Sequence, residues 1–390
     1  MKPHVAVFVG PAHGHINPTL AVSKELVSRG YRVTYAIPEQ FLDSLRDTGA
    51  DYVSYKVSRP QEGFTSNADR AARCAPDFSL NVRLSLAAHE RFKEDKPDLI
   101  LFDNTDISGA LMSRNSPGVP SIKLFPSFAH NESFPFSMGG WDSGDNWVER
   151  LVVQPIDDAL PDEGIGGYLV NNVSPLNIVF IPKFFQYRND TFDERFSFVG
   201  PTIYERPFYE KWAPPAGAKD VVLISLGTVL NAQPGYFQAC IDALKHLDIH
   251  VVMTVGSGLD ITRLGEIPNN FEIRPFISHL DVLPHTKAFV GHGGMNSTME
   301  SLYYGVPMLL APQDGHQRLI AMRIAELGFG KMLSNELLTP TKLAESLIVL
   351  LDDKTLIGRV KKIGMEMRNT NGAQVAAGIV ERVHHEWVAR

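Results

Sequence analysis

Along the first half of the chain, short wholly apolar runs alternate with segments whose apolar residues recur every three to four positions. The run His4–Val9 predicts a strand, Gly10–His15 a loop, and Leu20, Ala21, Leu26 and Val27 one face of a helix. Tyr31–Ile37 predicts the next strand and Glu39–Asp47 a helix; Asp98–Phe102 and Val119–Leu124 predict two more strands around a helix over Ile107–Arg114. Wholly apolar strands alternating with amphipathic helices indicate βαβ units, because a parallel sheet covered by helices buries both faces of each strand.

After Val199 the pattern lapses. Pro201, Pro207, Pro214 and Pro215 fall in a stretch with few periodic apolar residues, as expected of a connection between domains. The alternation then restarts: strand Asp220–Leu226, helix Tyr236–Leu247, strand Ile249–Val255, strand Lys287–Val290, helix Met295–Tyr304 and strand Val306–Ala311. The expected fold class is therefore α/β, with two doubly wound parallel-sheet lobes facing a central cleft. Ligands in such sheets lie beyond the carboxyl ends of the strands, so chemistry is sought in the loops that follow them. Phe125–Ser174 has weak periodicity and reads either as a binding loop or as a surface insertion.

Composition narrows the function classes. With 390 residues, 37 Lys+Arg against 44 Asp+Glu and a net charge of −7, the chain has room for two domains and no long basic run to neutralise phosphates, so nucleic acid is not expected as a partner. No apolar run approaches the roughly 18–20 residues of a membrane span, and Met1-Lys2-Pro3-His4 does not open a leader pattern, which reads as cytoplasmic. Cys74 and Cys240 lack the paired spacing of a zinc or redox motif and read as packing residues.

In the first strand-end loop, Gly10-Pro-Ala-His-Gly-His-Ile-Asn-Pro18, Asn17 suits an N-cap and Pro18 the first helical position. His15 then stands just ahead of a helix start, whose positive end favours the neutral imidazole that a general base requires. Asp103 ends the strand Asp98–Phe102; if that strand neighbours the first in the sheet, its carboxylate would meet His15 and fix its tautomer. On residues alone, a histidine in a glycine turn is more often structural, and His13 keeps that reading. The His-Gly-His pair has no third ligand at motif spacing, so no metal is expected.

The second strand-end loop, Gly291 to Glu300, runs from strand through a glycine turn into a helix, an arrangement that points backbone N–H groups and a positive dipole end at an anion. Gly291, Gly293 and Gly294 permit close approach; His292, Asn296, Ser297 and Thr298 offer donors, and Glu300 suits a ribose diol. Thr228, in Ser225-Leu-Gly-Thr228, adds a hydroxyl. The alternative is a tight turn with no ligand. Neither G-x-G-x-x-G nor the Walker motif is matched.

These residues carry a resemblance. His13 to Leu20, Arg29 to Ala36, the Asp103 strand end, Ile224 to Thr228 and the block Arg274 to Gln317 together resemble the family-one, GT-B-fold glycosyltransferases that use nucleotide sugars, most of all the bacterial members that glycosylate macrolides, flavonoids and similar aglycones. The resemblance spans essentially the whole chain. It implies an acceptor-binding lobe over 1–203, a linker and hinge over 204–219, a nucleotide-sugar lobe over 220–375, and a C-terminal helix over 376–390 packing back on the first lobe. It implies base stacking on Phe276, where a Trp is usual, with Ile277 beside it and His279 in place of the usual Gln. It implies diphosphate contacts from Thr228, His292, Gly294, Asn296 and Ser297, ribose contacts from Glu300, and sugar contacts from His316 and Gln317, where His316 replaces the usual acid with Asp314 nearby.

The implied reaction is inverting transfer from a nucleoside diphosphate sugar, UDP-glucose or a relative, to a hydroxyl of a small apolar acceptor such as a macrolide or polyphenol. His15 acts as base and Asp103 supports it; Phe125, Phe128, Phe134, Phe136 and Trp141 are candidate acceptor-lining residues, or else core packing. With no Asp-x-Asp motif in the chain, neither metal nor other cofactor is expected. The alternatives are an epimerase or hydrolase of nucleotide sugars on the same fold, and a non-catalytic nucleotide-sugar-binding partner protein.

Overall fold

The structure, a computed structural model, describes residues 2–57, 64–65, 69, 78–135, 153–161, 163–206, 211–218, 220–334 and 339–390. The chain divides into two compact units: Met1–Pro60 with Cys74–Tyr204 and Thr370–Arg390, and Gln61–Arg73 with Glu205–Asn369.

The first unit is built on a seven-stranded sheet, β1 (His4–Phe8), β2 (Arg32–Pro38), β3 (Asp51–Tyr55), β4 (Leu99–Asp103), β5 (Ser121–Phe125), β6 (Asn177–Val179) and β7 (Phe196–Phe198), in the order β3-β2-β1-β4-β5-β6-β7. Every pairing is parallel. The strand order reverses between β1 and β4, whose register pairs Phe8 with Phe102, so the loop after β1 and the end of β4 meet at the topological switch point.

Alternate residues of β1 serve opposite cores. Val5 and Val7 pack with Ile16, Leu20 and Leu26 of helix α1 (His13–Ser28), while Ala6 and Phe8 pack with Ala88 and Phe92 of α2 (Phe78–Glu94) and with Ala110 and Leu111 of α3 (Ile107–Asn115). Gly109 lies so close to the sheet that a Cβ there would come within 2.5 Å of the Phe102 Cβ.

Three local expectations are corrected. Helix α1 starts at His13, with Ala12 at the N-cap, rather than at Asn17-Pro18. The Ala12 N–H closes a turn onto Gly10 O at 2.8 Å, and the His15 and Ile16 N–H groups donate to Ala12 O at 3.0 and 3.1 Å, so winding is under way before Pro18. Pro18 sits inside the helix, where it has no N–H to offer the Gly14 carbonyl. The helix expected over Glu39–Asp47 is a 3₁₀ helix that ends at Leu45. The weakly periodic segment contains α4 (Gln154–Ala159) and α5 (Ile165–Asn171), whose Ile156, Ile165 and Leu169 join the core under α3.

The second unit has a six-stranded parallel sheet of β8 (Val221–Ser225), β9 (His250–Thr254), β10 (Phe271–Arg274), β11 (Thr286–Gly291), β12 (Met308–Leu310) and β13 (Gly330–Met332), in the order β10-β9-β8-β11-β12-β13. Its helices are α6 (Pro234–Leu244), α7 (His279–Val282), α8 (Met295–Tyr304), α9 (Gly315–Glu326), α10 (Pro340–Asp352) and α11 (Lys354–Thr370). The order reverses between β8 and β11, where Ser225 pairs with Gly291, so the two glycine turns are neighbours. Phe64, from the segment grouped with this unit, is 1% exposed, and its N–H donates to Val229 O at 2.8 Å.

The last helix, α12 (Gly372–Val388), belongs to the first unit. Its Ala376, Ala377, Val380 and Val383 join the core beside α1, and Arg29 donates to Glu381 Oε2 at 3.0 Å. Gly372 fits this return, since a Cβ there would lie 2.6 Å from Val199 O. Among the described residues, no helix is long and apolar enough to cross a membrane.

Candidate active site

At the switch point of the first unit, His15 Nδ1 lies 2.9 Å from Asp103 Oδ2. The histidine side chain is 30% exposed and the carboxylate 2%. β4 carries Asp103 to the end of the sheet, and the first turn of α1 aims His15 at it. A buried carboxylate needs its remaining lone pairs occupied. Here the Thr105 hydroxyl and N–H both donate to Asp103 Oδ1, at 2.6 and 2.8 Å. With the carboxylate accepting, the ring proton sits on Nδ1, and Nε2 is the basic nitrogen.

A second carboxyl lies below this pair. Asp106 caps α3, accepting from the Gly109 N–H at 2.7 Å, and burial, helped by the charge of Asp103, pushes its pKa up to about 6. The sequence reading missed Thr105 and Asp106. The spacing Asp103-Asn-Thr-Asp106 before an apolar helical run was the available signal.

The expected acceptor-lining aromatics are packed inward. Phe125, Phe128 and Phe134 are 1%, 8% and 6% exposed. Phe125 meets the edge of His130 at 5.0 Å, Phe128 stacks on Phe185 at 5.7 Å, and Phe134 stacks on Tyr187 at 6.3 Å, which is the core-packing alternative. Phe136 and Trp141 lie outside the described residues. His13 packs edge-on against Phe41 at 4.9 Å.

In the second unit, the His292 ring is held between two glycine backbones. A Cβ on Gly227 would come 2.9 Å from its Cε1, and one on Gly294 2.4 Å from its Nε2. The ring is 8% exposed, and burial pushes its pKa down to about 4, so it is neutral. Beside it α8 begins at Gly294, with no side-chain cap and no acidic residue in its first turn. The leading N–H groups of a helix have no intrahelical partner, so this turn can receive an anion. Asn296 and Ser297 in that turn, and Thr228 beyond Gly227, are partly exposed.

The remaining donor-side residues divide. Phe276 is 41% exposed just past β10, presenting an aromatic face, with the partly exposed Ile277 next to it. His279 is turned inward: its Nε2 lies 3.1 Å from Thr254 Oγ1, and burial pushes its pKa to about 3. Glu300 is paired with Arg206 Nη2, a partner the sequence reading did not anticipate. Gln317 is locked within its own loop, its Oε1 accepting from the Gln313 N–H at 2.8 Å and its Nε2 donating to Asp314 Oδ2 at 3.0 Å. Asp314 caps α9 through the Gln317 N–H at 2.8 Å, while the adjacent His316 is partly exposed. Among the described residues, no group of three or more His, Cys, Asp or Glu side chains is placed to hold a metal ion.

Residues 238–382 match the family described as Erythromycin biosynthesis protein CIII-like, C-terminal domain. The chain is 37% identical over 389 residues to NDP-glycosyltransferase YjiC of Bacillus licheniformis, covering 97% of each. It is 33% identical over 400 residues to demethyllactenocin mycarosyltransferase of Streptomyces fradiae, covering 97% of this chain and 86% of that one. Among solved structures, the glycotransferase of kitacinnamycin superposes with a TM-score of 0.84 at 31% identity, covering 98% of this chain and 99% of that one. With whole-length identity of this order and two parallel-sheet units of matching fold, the chain belongs to the GT-B-fold NDP-glycosyltransferases and is a glycosyltransferase.

Proposed function

We propose that the chain transfers a sugar from a nucleoside diphosphate sugar, UDP-glucose or a relative, to a hydroxyl of a small apolar acceptor of macrolide or polyphenol type, inverting the anomeric centre. The observation that carries this reading is the 2.9 Å contact of His15 Nδ1 with the buried Asp103 carboxylate. In the proposed step, His15 Nε2 takes the acceptor proton as that oxygen bonds to the anomeric carbon. The bond from that carbon to the diphosphate breaks, and Asp103 stabilises the imidazolium.

The donor roles follow from the second unit. The open first turn of α8, the Gly227 turn, Thr228, Asn296, Ser297 and His292 are assigned to the diphosphate, which gains charge as it leaves and is therefore held more strongly in the transition state. Phe276 with Ile277 is assigned to the base, Glu300 to the ribose, and His316 to the sugar. Gln317 is assigned to holding the Asp314 loop in place. Helix amides carry the leaving charge in this scheme, so no metal is required.

The test is transfer from UDP-glucose to a polyphenol, with the anomeric configuration of the product read by proton coupling. A β-glucoside from the α-linked donor, formed equally well in excess chelator, is expected. Retention of configuration would contradict the single displacement, and loss of activity with chelator would contradict the metal-free scheme.

A further inference from the structure

The ion pair of Arg206 and Glu300 is buried, with the guanidinium 11% and the carboxylate 7% exposed. Burying two charges costs desolvation that a well-packed apolar pair would avoid, so such a pair is weak evidence for stability alone. Arg206 comes from the proline-rich connection after Tyr204, and Glu300 sits in the middle of α8, past the glycine turn. Arg206 engages Oε1 of Glu300. A carboxylate has a second oxygen able to accept from other donors.

Resting on the assignment of Glu300 to the ribose, we propose that Arg206 is a positioning residue for nucleotide binding: it fixes the Glu300 carboxylate in one orientation, ready to accept from hydroxyls. The surrounding groups make this cation necessary. Tyr304, on the same helix, is neutral, with its pKa pushed up to about 12 by burial and by the nearby charges of Glu300, Asp281 and Glu205. His279 of α7, within range of the Arg206 charge, is neutral as well. Lys211 lies 3.7 Å from Asp281 and is 71% exposed, so it is a screened partner for a different carboxylate. Without Arg206, the buried Glu300 carboxylate would lose the contact that orients it.

The experiment is titration calorimetry with UDP on wild type and on Arg206→Met, Arg206→Lys and Glu300→Gln. Arg206→Met is expected to bind about tenfold more weakly, because the carboxylate loses the contact that orients it. Arg206→Lys should restore binding to near wild type, and Glu300→Gln should bind weakly. If Arg206→Met does not fold, as judged by thermal unfolding, Arg206→Gln removes the charge while keeping donors and makes the same comparison. Unchanged or tighter binding in the uncharged variant, or no rescue by Arg206→Lys, would overturn the proposal. Wild-type affinity in Glu300→Gln would instead overturn the ribose assignment beneath it.

Discussion

At His15 the chemistry depends on which ring nitrogen carries the proton, and Asp103 decides it by accepting from Nδ1 at 2.9 Å. Three buried histidines are neutral because burial pushes His292 down to about 4 and both His279 and His130 to about 3. All three fall below the unfolded value of about 6.5, so over that window the unfolded chain binds more protons than the folded one. Their contribution is complete above about pH 6.5 and is lost as the pH falls, at up to about 1.4 kcal/mol per pH unit for each. Asp106, raised to about 6, works the other way: its contribution is present at low pH and is lost as the pH rises from about 4 through 6. The urea midpoint should therefore drop between about pH 7 and pH 5, and His130→Asn should flatten that slope; an unchanged slope would show that His130 is not buried neutral. His15 and Asp103 were legible in the sequence because a glycine turn after one apolar run and an acid closing another mark strand ends. The pairing of Glu300 with Arg206 was not, because the arginine lies where no periodicity gives it a direction.

Among the elements, the glycine turns place the donor-side groups. Gly227 has φ +70°, a left-handed conformation that a side chain resists, and its missing Cβ makes room for the His292 ring. Gly227→Ala should cost roughly 1–3 kcal/mol and weaken UDP binding by displacing His292. Gly235→Ala, where a Cβ would meet nothing within 4 Å, should leave both unchanged. Thermal unfolding and calorimetry on the pair check this, and equal behaviour of the two variants would contradict it. Element boundaries show what patterning misses. Asn17-Pro18 has the residues of a helix start, yet the turn closed by Ala12 on Gly10 winds α1 from His13. The helices Gln154–Ala159 and Ile165–Asn171 span fewer than two turns each, too short for a 3.6-residue period to stand out.

For the whole molecule, the twofold recurrence of strand and helix gave both parallel sheets, because wholly apolar strands are required wherever helices cover both faces. Each sheet reverses its strand order once, between β1 and β4 and between β8 and β11, and the candidate residues gather at those two points. The return of the chain was harder to read. The stripe Ala376, Ala377, Val380 and Val383 announces an amphipathic helix, but its partners, α1 and Arg29, lie at the other end of the sequence. The account stands most directly on turnover and UDP affinity measured side by side for His15→Ala. It predicts that kcat falls by about 100- to 10,000-fold, the range of a lost general base, while the UDP Kd stays close to wild type. Undiminished kcat, or a collapse of UDP binding, would contradict the role given to His15.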